Sequence, residues 1–385
     1  MSSKRIPLSI PNFSGNELKY VSEAITTGWV SSVGQYVNLF EDKLSEYVGS
    51  SSAVSCQNGT AGLHISLMLC GVTNSDEVIV PTLTFIAAVN PVKYIRADPI
   101  FMDCDDSLCM DPDKLKKFCE EECEFLDNKL INKRTRKHVK AVVVVHVFGN
   151  MADMESIMDV AQKYNLKVIE DATEALGSYY RSGRYKNKFA GTIGDIGVYS
   201  FNGNKIITTG GGGMIVSNNE TLLKKAKHLT TQAKSDEVYF THDEIGYNYR
   251  MTNVQAAIGV AQLEQLEDFI SVKQKNYDLY RERLSKINGL TLLKFRDDIR
   301  SNKWLYGVIL GPDYKMNRDK LIKYLDSKNI QTRPIWRLIH EQKPYIKCQT
   351  YMIEKAKYYW STVVNIPCST NLTSEEVNYV VQNLM

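Results

Sequence analysis

The feature that most constrains the fold is an alternation of short apolar runs with helical patterns along the first 250 residues. Helical patterns such as DMESIMDVAQKYN (153–165) separate several of these runs. Strands that are apolar along their whole length are typical of a mostly parallel sheet covered by helices on both faces. Ligands of such sheets bind beyond the carboxyl ends of the strands. The predicted strands are AVSC (53–56), EVIVP (77–81), PIFMD (99–103), KAVVVVHVFG (140–149), KVIED (167–171) and DIGVYSF (195–201).

A smaller α+β pattern follows. Residues 253–286 contain no proline and a single glycine, which predicts one long helix. Strand patterns TLLKF and WLYGVIL come next, and a last helix begins at a Thr373–Glu376 capping box. We therefore expect two domains, residues 1–250 and residues 251–385.

The composition excludes several classes of protein. A net charge of +3 among 385 residues is too small to indicate binding to nucleic acid or to a membrane surface. The longest aliphatic run, AVVVV at 141–145, is far shorter than the ~20 residues of a membrane span. The first twenty residues lack the apolar core of a secretion signal. The eight cysteines show no CxxC motif and no zinc spacing, which predicts free thiols, no metal site and a cytoplasmic location.

Residues 119–140, CEEECEFLDNKLINKRTRKHVK, are acidic and then basic. Their charge and their position between a predicted helix and a predicted strand favour a solvated insertion. Nucleic-acid binding is the sharper alternative, but the segment lacks the interleaved aromatic residues on which bases stack. We therefore expect no nucleic-acid partner.

Two predicted strand ends carry groups suited to binding a ligand. The turn Asn58–Gly62 follows the first strand, where free N–H groups and the dipole of the next helix favour an anion. The turn matches neither GxxxxGK[ST] nor GxGxxG, so an ordinary helix cap is the alternative. Phe85 follows the second strand, where its ring either stacks on a planar ligand or joins the core.

Two later strand ends carry ionisable groups. Asp171 ends KVIED, where a carboxylate either holds a protonated ring nitrogen or caps the next helix. Ser200 lies at the end of DIGVYSF, and Lys205 follows five residues later. The glycines Gly210 to Gly213 then allow the chain to turn back close to the lysine without side-chain clashes.

These groups indicate one cofactor when they are considered together. A lone lysine near glycines would be an ordinary surface residue. An anion turn, an aromatic ring, an aspartate, a hydroxyl and a lysine at successive strand ends match the needs of pyridoxal 5′-phosphate (PLP). In such sites the lysine bonds to the cofactor aldehyde, the aspartate pairs with the ring nitrogen, and the turn and the hydroxyl hold the phosphate.

Seven segments, in order along the chain, carry a resemblance to a known family. They are TGWVSSVGQYVNLFE, NGTAGLHISL, VIVPTLTFIAAVN, VHVFGNMADM, IEDATEAL, YSFNGNKIITTGGGGMI and IGYNYRMTNVQAAIGVAQL. On these segments the chain resembles, over about residues 6–380, the DegT/DnrJ/StrS family of PLP-dependent nucleotide-sugar aminotransferases. The resemblance implies an α/β fold of PLP fold type I, like aspartate aminotransferase. Within the family the chain is most similar to the LegC group, which makes 4-amino sugars for legionaminic acid and related glycans.

The resemblance also implies roles for individual residues. Lys205 is the covalent lysine and proton shuttle, Asp171 pairs with the ring nitrogen, and Phe85 stacks on the ring. The family forms a homodimer with shared active sites. The phosphate-binding positions are Gly59, Thr60 and Ser200, together with Asn248, which reaches the cofactor of the other subunit. The positions on the sugar and nucleotide side are Trp29, Ser31, Arg333 and His340.

One of the cofactor positions departs from the commonest family pattern. Glu174 stands near the cofactor 3-hydroxyl, where many members have glutamine or histidine. An ionised carboxylate beside a phenolate-like oxygen is unfavourable unless the two share a proton.

The activity that the resemblance implies is transamination. L-Glutamate supplies an amino group to C4 of a 4-keto-6-deoxy nucleotide sugar, linked to GDP, UDP or dTDP, with or without a 2-acetamido group. The product is a 4-amino-4,6-dideoxy sugar for surface glycans. Two alternatives are a PLP-dependent nucleotide-sugar dehydratase, in which histidine replaces the lysine, and a non-catalytic PLP-binding regulator. Lys205 favours the transaminase.

Overall fold

A mostly parallel sheet forms the centre of the computed structural model, which describes residues 5–236 and 238–385. The strands are β1 (Ser52–Cys56), β2 (Asp76–Pro81), β3 (Asp98–Met102), β4 (Cys123–Leu126), β5 (Lys129–Asn132), β6 (His138–Val145), β7 (Lys167–Asp171), β8 (Tyr179–Tyr180), β9 (Ile196–Ser200), β10 (Gly213–Ser217), β11 (Lys234–Asp236), β12 (Thr241–His242), β13 (Leu290–Leu292), β14 (Ile299–Arg300), β15 (Tyr306–Leu310), β16 (Arg333–Pro334), β17 (Gln349–Tyr351) and β18 (Val363–Ile366).

Helices lie between most of these strands. They are α1 (Glu17–Thr26), α2 (Gln35–Val48), α3 (Gly59–Leu69), α4 (Asn90–Tyr94), α5 (Pro112–Glu121), α6 (Met154–Tyr164), α7 (Glu220–Thr230), α8 (Asn253–Leu263), α9 (Leu266–Leu284), α10 (Arg318–Ser327), α11 (Lys355–Thr362) and α12 (Ser374–Leu384). None of the helices in the described residues combines the length and apolar composition that a membrane span requires.

The large sheet has the strand order β1-β10-β9-β7-β6-β2-β3-β17. Pairing is parallel from β9 through β7, β6, β2 and β3 to β17, which confirms the predicted mostly parallel sheet. Strand β10 is antiparallel to both of its neighbours, β1 and β9. The glycine run at the start of β10 therefore lies beside the carboxyl ends of β1 and β9, where a ligand would bind.

One charged residue interrupts the apolar strand β7. Glu170 is fully buried and accepts hydrogen bonds from three backbone N–H groups in residues 191–194 at 2.6–2.8 Å. His146 Nδ1 accepts from the Ala152 N–H, and its Nε2–H donates to Glu170 at 2.8 Å. Burial opposes ionisation, but these bonds hold the pKa of the Glu170 carboxyl below its usual value. The carboxylate thereby fixes the loop that leads into β9.

The predicted single helix over residues 253–286 is wrong. The chain forms α8 and α9, with a break at Glu264 and Gln265. No proline or glycine marks the break. Instead Gln265 Nε2 donates to Glu17 Oε1 (2.8 Å) and to the Ala261 carbonyl (3.0 Å), so a contact with the N-terminal segment holds the turn.

The C-terminal part contains a smaller sheet. Two other strands of this part, β14 and β17, pair with strands of the N-terminal part. The sheet β13-β15-β18-β16 is antiparallel, and α12 begins at the predicted Thr373–Glu376 capping box. Strand β17 pairs with β3 at the edge of the large sheet, and β14 pairs with β8. The boundary near residue 250 stays a prediction. Within 119–140, β4 and β5 form a hairpin that pairs with β6.

Strand β10 closely approaches the turn that opens α3. A Cβ on Gly213 would lie 2.7 Å from the Asn58 carbonyl carbon and 2.8 Å from the Gly59 nitrogen. Gly210 and Gly212 have φ values of +76° and +143°, which favour glycine. The glycine run thus brings β10 against the predicted anion turn.

We expect Gly213→Ala to lower the free energy of unfolding by ~1–3 kcal/mol, because the new methyl group clashes with backbone that cannot retreat. Urea denaturation monitored by circular dichroism measures the change. Gly203→Ala is the matched control, since its Cβ would meet no atom within 4 Å. Equal midpoints and slopes for Gly213→Ala and the control would contradict the prediction.

Candidate active site

A cavity of about 340 Å³ opens at the carboxyl ends of β1, β2, β7 and β9. The predicted cofactor residues of one chain converge there because the ends of neighbouring parallel strands share one edge of the sheet. Those that line the cavity are Gly59, Thr60, Phe85, Asp171, Glu174, Ser200 and Lys205. These residues are separated by up to 146 positions in sequence (205 − 59), so the fold alone brings them together.

The first turn of α3 provides an anion site at one end of the cavity. Asn58 caps the helix, and its Oδ1 accepts the Ala61 N–H at 2.8 Å. Among the described residues, no hydrogen bond uses the N–H groups of Gly59 and Thr60, as is usual in a first helical turn. A Cβ on Gly59 would lie 3.0 Å from the Ser200 Cβ, so the glycine lets the turn approach that hydroxyl. This end suits a phosphate.

Asp171 provides a buried carboxylate at the end of β7. Its side chain accepts the Thr173 N–H at 3.1 Å and forms no ion pair within the described residues. Burial raises the pKa of the Asp171 carboxyl above its usual value, while Lys205 partly opposes that shift. A protonated nitrogen of a ligand would supply the missing charge partner.

Lys205 and Glu174 form an acid–base pair inside the cavity. Lys205 Nζ lies 3.7 Å from Glu174 Oε1, and the exposed fractions of the two side chains are 12% and 2%. Burial lowers the pKa of Lys205 and raises the pKa of Glu174 to about 7. Glu174 Oε2 also accepts the Phe148 N–H at 2.8 Å. A proton can therefore reside on Glu174 while the Lys205 amine is neutral.

Aromatic rings line the cavity on several sides. Phe85, which remains 55% exposed, was predicted. Trp304 and Trp336 also line the cavity, and Phe148 packs against both, with ring centroids 6.2 Å and 5.0 Å apart. These two tryptophans were not predicted, because they come from the C-terminal part and do not follow strands of the large sheet.

Several predicted residues lie outside this cavity. Asn248 is exposed and forms an isolated bridge with Thr231. Trp29 is 56% exposed, and Ser31 lies near it on the surface. Asn253 holds this segment, because its side chain donates to the Trp29 carbonyl and its N–H donates to the Ser31 carbonyl. Their predicted contacts with a second subunit or with a substrate stay predictions.

The two predicted C-terminal substrate residues are also outside the cavity. Arg333 lies exposed on β16, and its guanidinium donates to the carbonyl of Thr332. His340 is largely buried, and its Nδ1 lies 2.6 Å from the Thr82 Oγ1 just beyond β2. Burial lowers the pKa of His340, which favours the neutral ring.

The fold and the site together define an α/β enzyme with a buried lysine and aspartate beside an anion turn. Comparison with known proteins identifies the family. The chain belongs to the DegT/DnrJ/EryC1/StrS aminotransferase family, which matches residues 11–385.

Individual relatives agree with this assignment. A GDP-perosamine synthase from Escherichia coli O157:H7 is 38% identical, with 99% of this chain and 98% of that protein covered. A GDP-perosamine synthase from Caulobacter vibrioides is 37% identical, with 99% and 97% covered. The crystal structure of a DegT DnrJ EryC1 StrS aminotransferase from Brucella abortus superposes with a TM-score of 0.87 at 25% identity, covering 96% of this chain and 94% of that one. The predicted fold class is confirmed, and the LegC resemblance stays a prediction.

We expect Glu174→Gln to lower the pKa of Lys205 further, because the carboxylate that stabilises the ammonium is removed while an acceptor for the Phe148 N–H remains. In the cofactor-free protein, the pH midpoint for labelling Lys205 with an amine-reactive reagent should fall, as measured by peptide mass spectrometry. Lys224, exposed on α7 and outside the cavity, is the internal control. A midpoint that rises or stays fixed for Lys205 would contradict the prediction.

Proposed function

We propose that this protein is a PLP-dependent aminotransferase that transfers an amino group from L-glutamate to C4 of a 4-keto-6-deoxy nucleotide sugar. The product is a 4-amino-4,6-dideoxy sugar for surface glycans. The observation that carries the proposal is the convergence of Lys205, Asp171 and the α3 anion turn on one cavity. The family assignment supports the same class of reaction.

The residues of the cavity fit PLP. Its phosphate suits the open N–H groups of Gly59 and Thr60 and the hydroxyl of Ser200, its ring nitrogen suits Asp171, and its aldehyde suits Lys205. When bound, PLP carries the amino group from donor to acceptor and withdraws electrons from the reacting carbon. The buried Asp171 carboxylate forms no ion pair in the described chain, so a protonated ring nitrogen would complement its charge.

The chain's own groups then have distinct tasks. The Asp171 carboxylate holds a proton at the ring nitrogen, and the anion turn fixes the phosphate end. The Lys205 Nζ moves a proton at the reacting carbon, for which its pKa, lowered by burial, is suited. Glu174 Oε1, 3.7 Å from that amine, accepts or returns a proton when the amine changes its charge. Trp304 and Trp336 exclude water from this side of the cavity.

The nucleotide proposed for the substrate is GDP. Support comes from the relatives named as GDP-perosamine synthases, which cover nearly the whole chain. Arg333, exposed on β16, is suited by its charge to a diphosphate, and Trp29, Ser31 and His340 are proposed for the sugar and base. A lysine at position 205 also favours transamination over the dehydratase, in which histidine takes its place.

We further propose that the chain acts as a homodimer. An apolar surface near the N-terminus supports this state, since large exposed apolar patches are rare on monomers. Leu18 is 80% exposed and Phe13 is 60% exposed. The exposed apolar side chains of this segment are Phe13, Leu18, Ile25, Trp29 and Val33, and a second copy of the chain is proposed to cover them. The cytoplasm is the proposed location, supported by eight cysteines that are all free thiols in the described chain.

The function is tested with GDP-, UDP- and dTDP-linked 4-keto-6-deoxy sugars and ¹⁵N-labelled L-glutamate, with products analysed by mass spectrometry. We expect ¹⁵N at C4 of the GDP sugar and an equal amount of 2-oxoglutarate. Lys205→Ala should lower the rate by at least ~10³-fold, because both the covalent anchor and the proton carrier are lost.

Each other outcome of this experiment has a defined meaning. Preference for a UDP or dTDP sugar would overturn only the choice of nucleotide. A dehydrated product without ¹⁵N would establish the dehydratase. Cofactor binding without any reaction of glutamate would leave a PLP-binding regulator.

Shared active sites predict that two inactive variants restore each other. Co-expressed Lys205→Ala and Asn248→Ala chains should recover about a quarter of wild-type activity, because half of the dimers carry one intact site. Lys205→Ala with Asp171→Ala is the matched control and should recover none, since both residues line the cavity of one chain. Recovery in neither mixture, or a monomer in sedimentation, would contradict the shared site.

A further inference from the structure

Trp304 contacts both Lys205 and the residue that precedes it. Its indole ring centroid lies 4.1 Å from the Lys205 Nζ, and the side chain is almost fully buried. Its Nε1–H donates to the carbonyl of Asn204, the residue before the lysine, at 2.6 Å. One side chain from the C-terminal part therefore restrains both the amine and the backbone that carries it.

The backbone of Trp304 is itself held by a buried lysine. The Lys273 Nζ, on α9, donates to the Trp304 carbonyl at 2.8 Å and to the Cys368 carbonyl at 2.7 Å. Lys273 is 2% exposed and forms no ion pair within the described residues. Burial lowers the pKa of Lys273, and an amine at this depth is stable only because both carbonyls accept its hydrogens.

Hydrogen bonds attach the turn 302–304, which contains Trp304, to the segment that bears Glu174. The Asn302 Oδ1 accepts the Trp304 N–H at 3.0 Å, and the Asn302 Nδ2 donates to the carbonyls of Glu174 and Leu176 at 2.9 Å. Lys303, between them, has a φ of +50°, in the left-handed region. The turn 302–304 thus ties both members of the Lys205–Glu174 pair to one rigid point.

We propose that Trp304 is a positioning residue for Lys205, with Lys273 fixing the Trp304 backbone; this inference rests on the proposed role of Lys205 as the covalent lysine. The indole limits the orientations of the Nζ, and its N–H fixes the turn at Asn204. Positioning matters because small displacements of a reacting group lower rates steeply.

The test measures the rate at which PLP becomes attached to the cofactor-free protein, trapped with borohydride and located by peptide mass spectrometry. We expect Trp304→Leu to slow attachment by ~10–100-fold, because the Nζ loses its fixed orientation. Trp304→Phe keeps a ring but loses the Nε1–H, and we expect about a fivefold fall. Lys273→Met, outside the cavity, should also slow attachment. Trp360→Phe, on α11, is the matched tryptophan control and should leave the rate unchanged.

A second measurement separates positioning from direct contact with the cofactor. In a Lys205→Ala background, Trp304→Leu should change the Kd of PLP by less than about twofold, because Trp304 acts through the lysine. A tenfold weaker Kd in that background, or an unchanged attachment rate in both Trp304 variants, would overturn the inference. If borohydride labels no Lys205 in the wild-type protein, the proposed function fails instead. Circular dichroism identifies any variant that is unfolded, and Trp304→Phe then carries the test.

Discussion

The rest of this structure depends on one constraint, which is that the ionisable groups of the cavity are kept out of water. Glu174 and Asp171 are buried and Lys205 is largely buried at one end of the large sheet, and burial shifts each toward its neutral form. Because burial lowers the pKa of Lys205, its neutral amine forms more readily, and a neutral amine can act on protons and carbonyl groups, which an ammonium cannot do. The surrounding fold supplies enough apolar packing and hydrogen bonding to keep these groups out of water.

The large sheet provides that burial by the way its strands end. Strands β7 and β9 end at Asp171 and Ser200, and the antiparallel β10 returns the chain against the turn that opens α3. The fully buried Glu170, one residue before Asp171, binds His146 and the loop that leads into β9. The Glu170 carboxylate, which faces the protein interior, thus orders the strand whose next carboxylate, Asp171, lines the cavity.

Sequence reasoning predicted the parts of the structure that depend on local patterns. Strand ends were predictable because apolar runs end sharply, and parallel pairing then brings Asp171 and Lys205 to one edge. The break between α8 and α9 was not predictable, since a distant contact with Glu17 causes it and no helix-breaking residue marks it. Trp304 and Trp336 were not predicted to line the cavity, because contacts between distant residues place them there. Trp304, for example, lies about a hundred residues from Lys205 in the chain.

Strand β17 has a practical consequence for anyone who divides this chain into fragments. Because it pairs with β3 and completes the large sheet, the first 250 residues expressed alone would leave the main-chain groups of β3 unpaired. An open edge of a regular, buried strand is a template for pairing with other copies, and such fragments aggregate. By covering this edge, the C-terminal segment keeps the nucleotide-sugar enzyme soluble. Chimaeras that exchange domains with other proteins should therefore be designed from the intact chain.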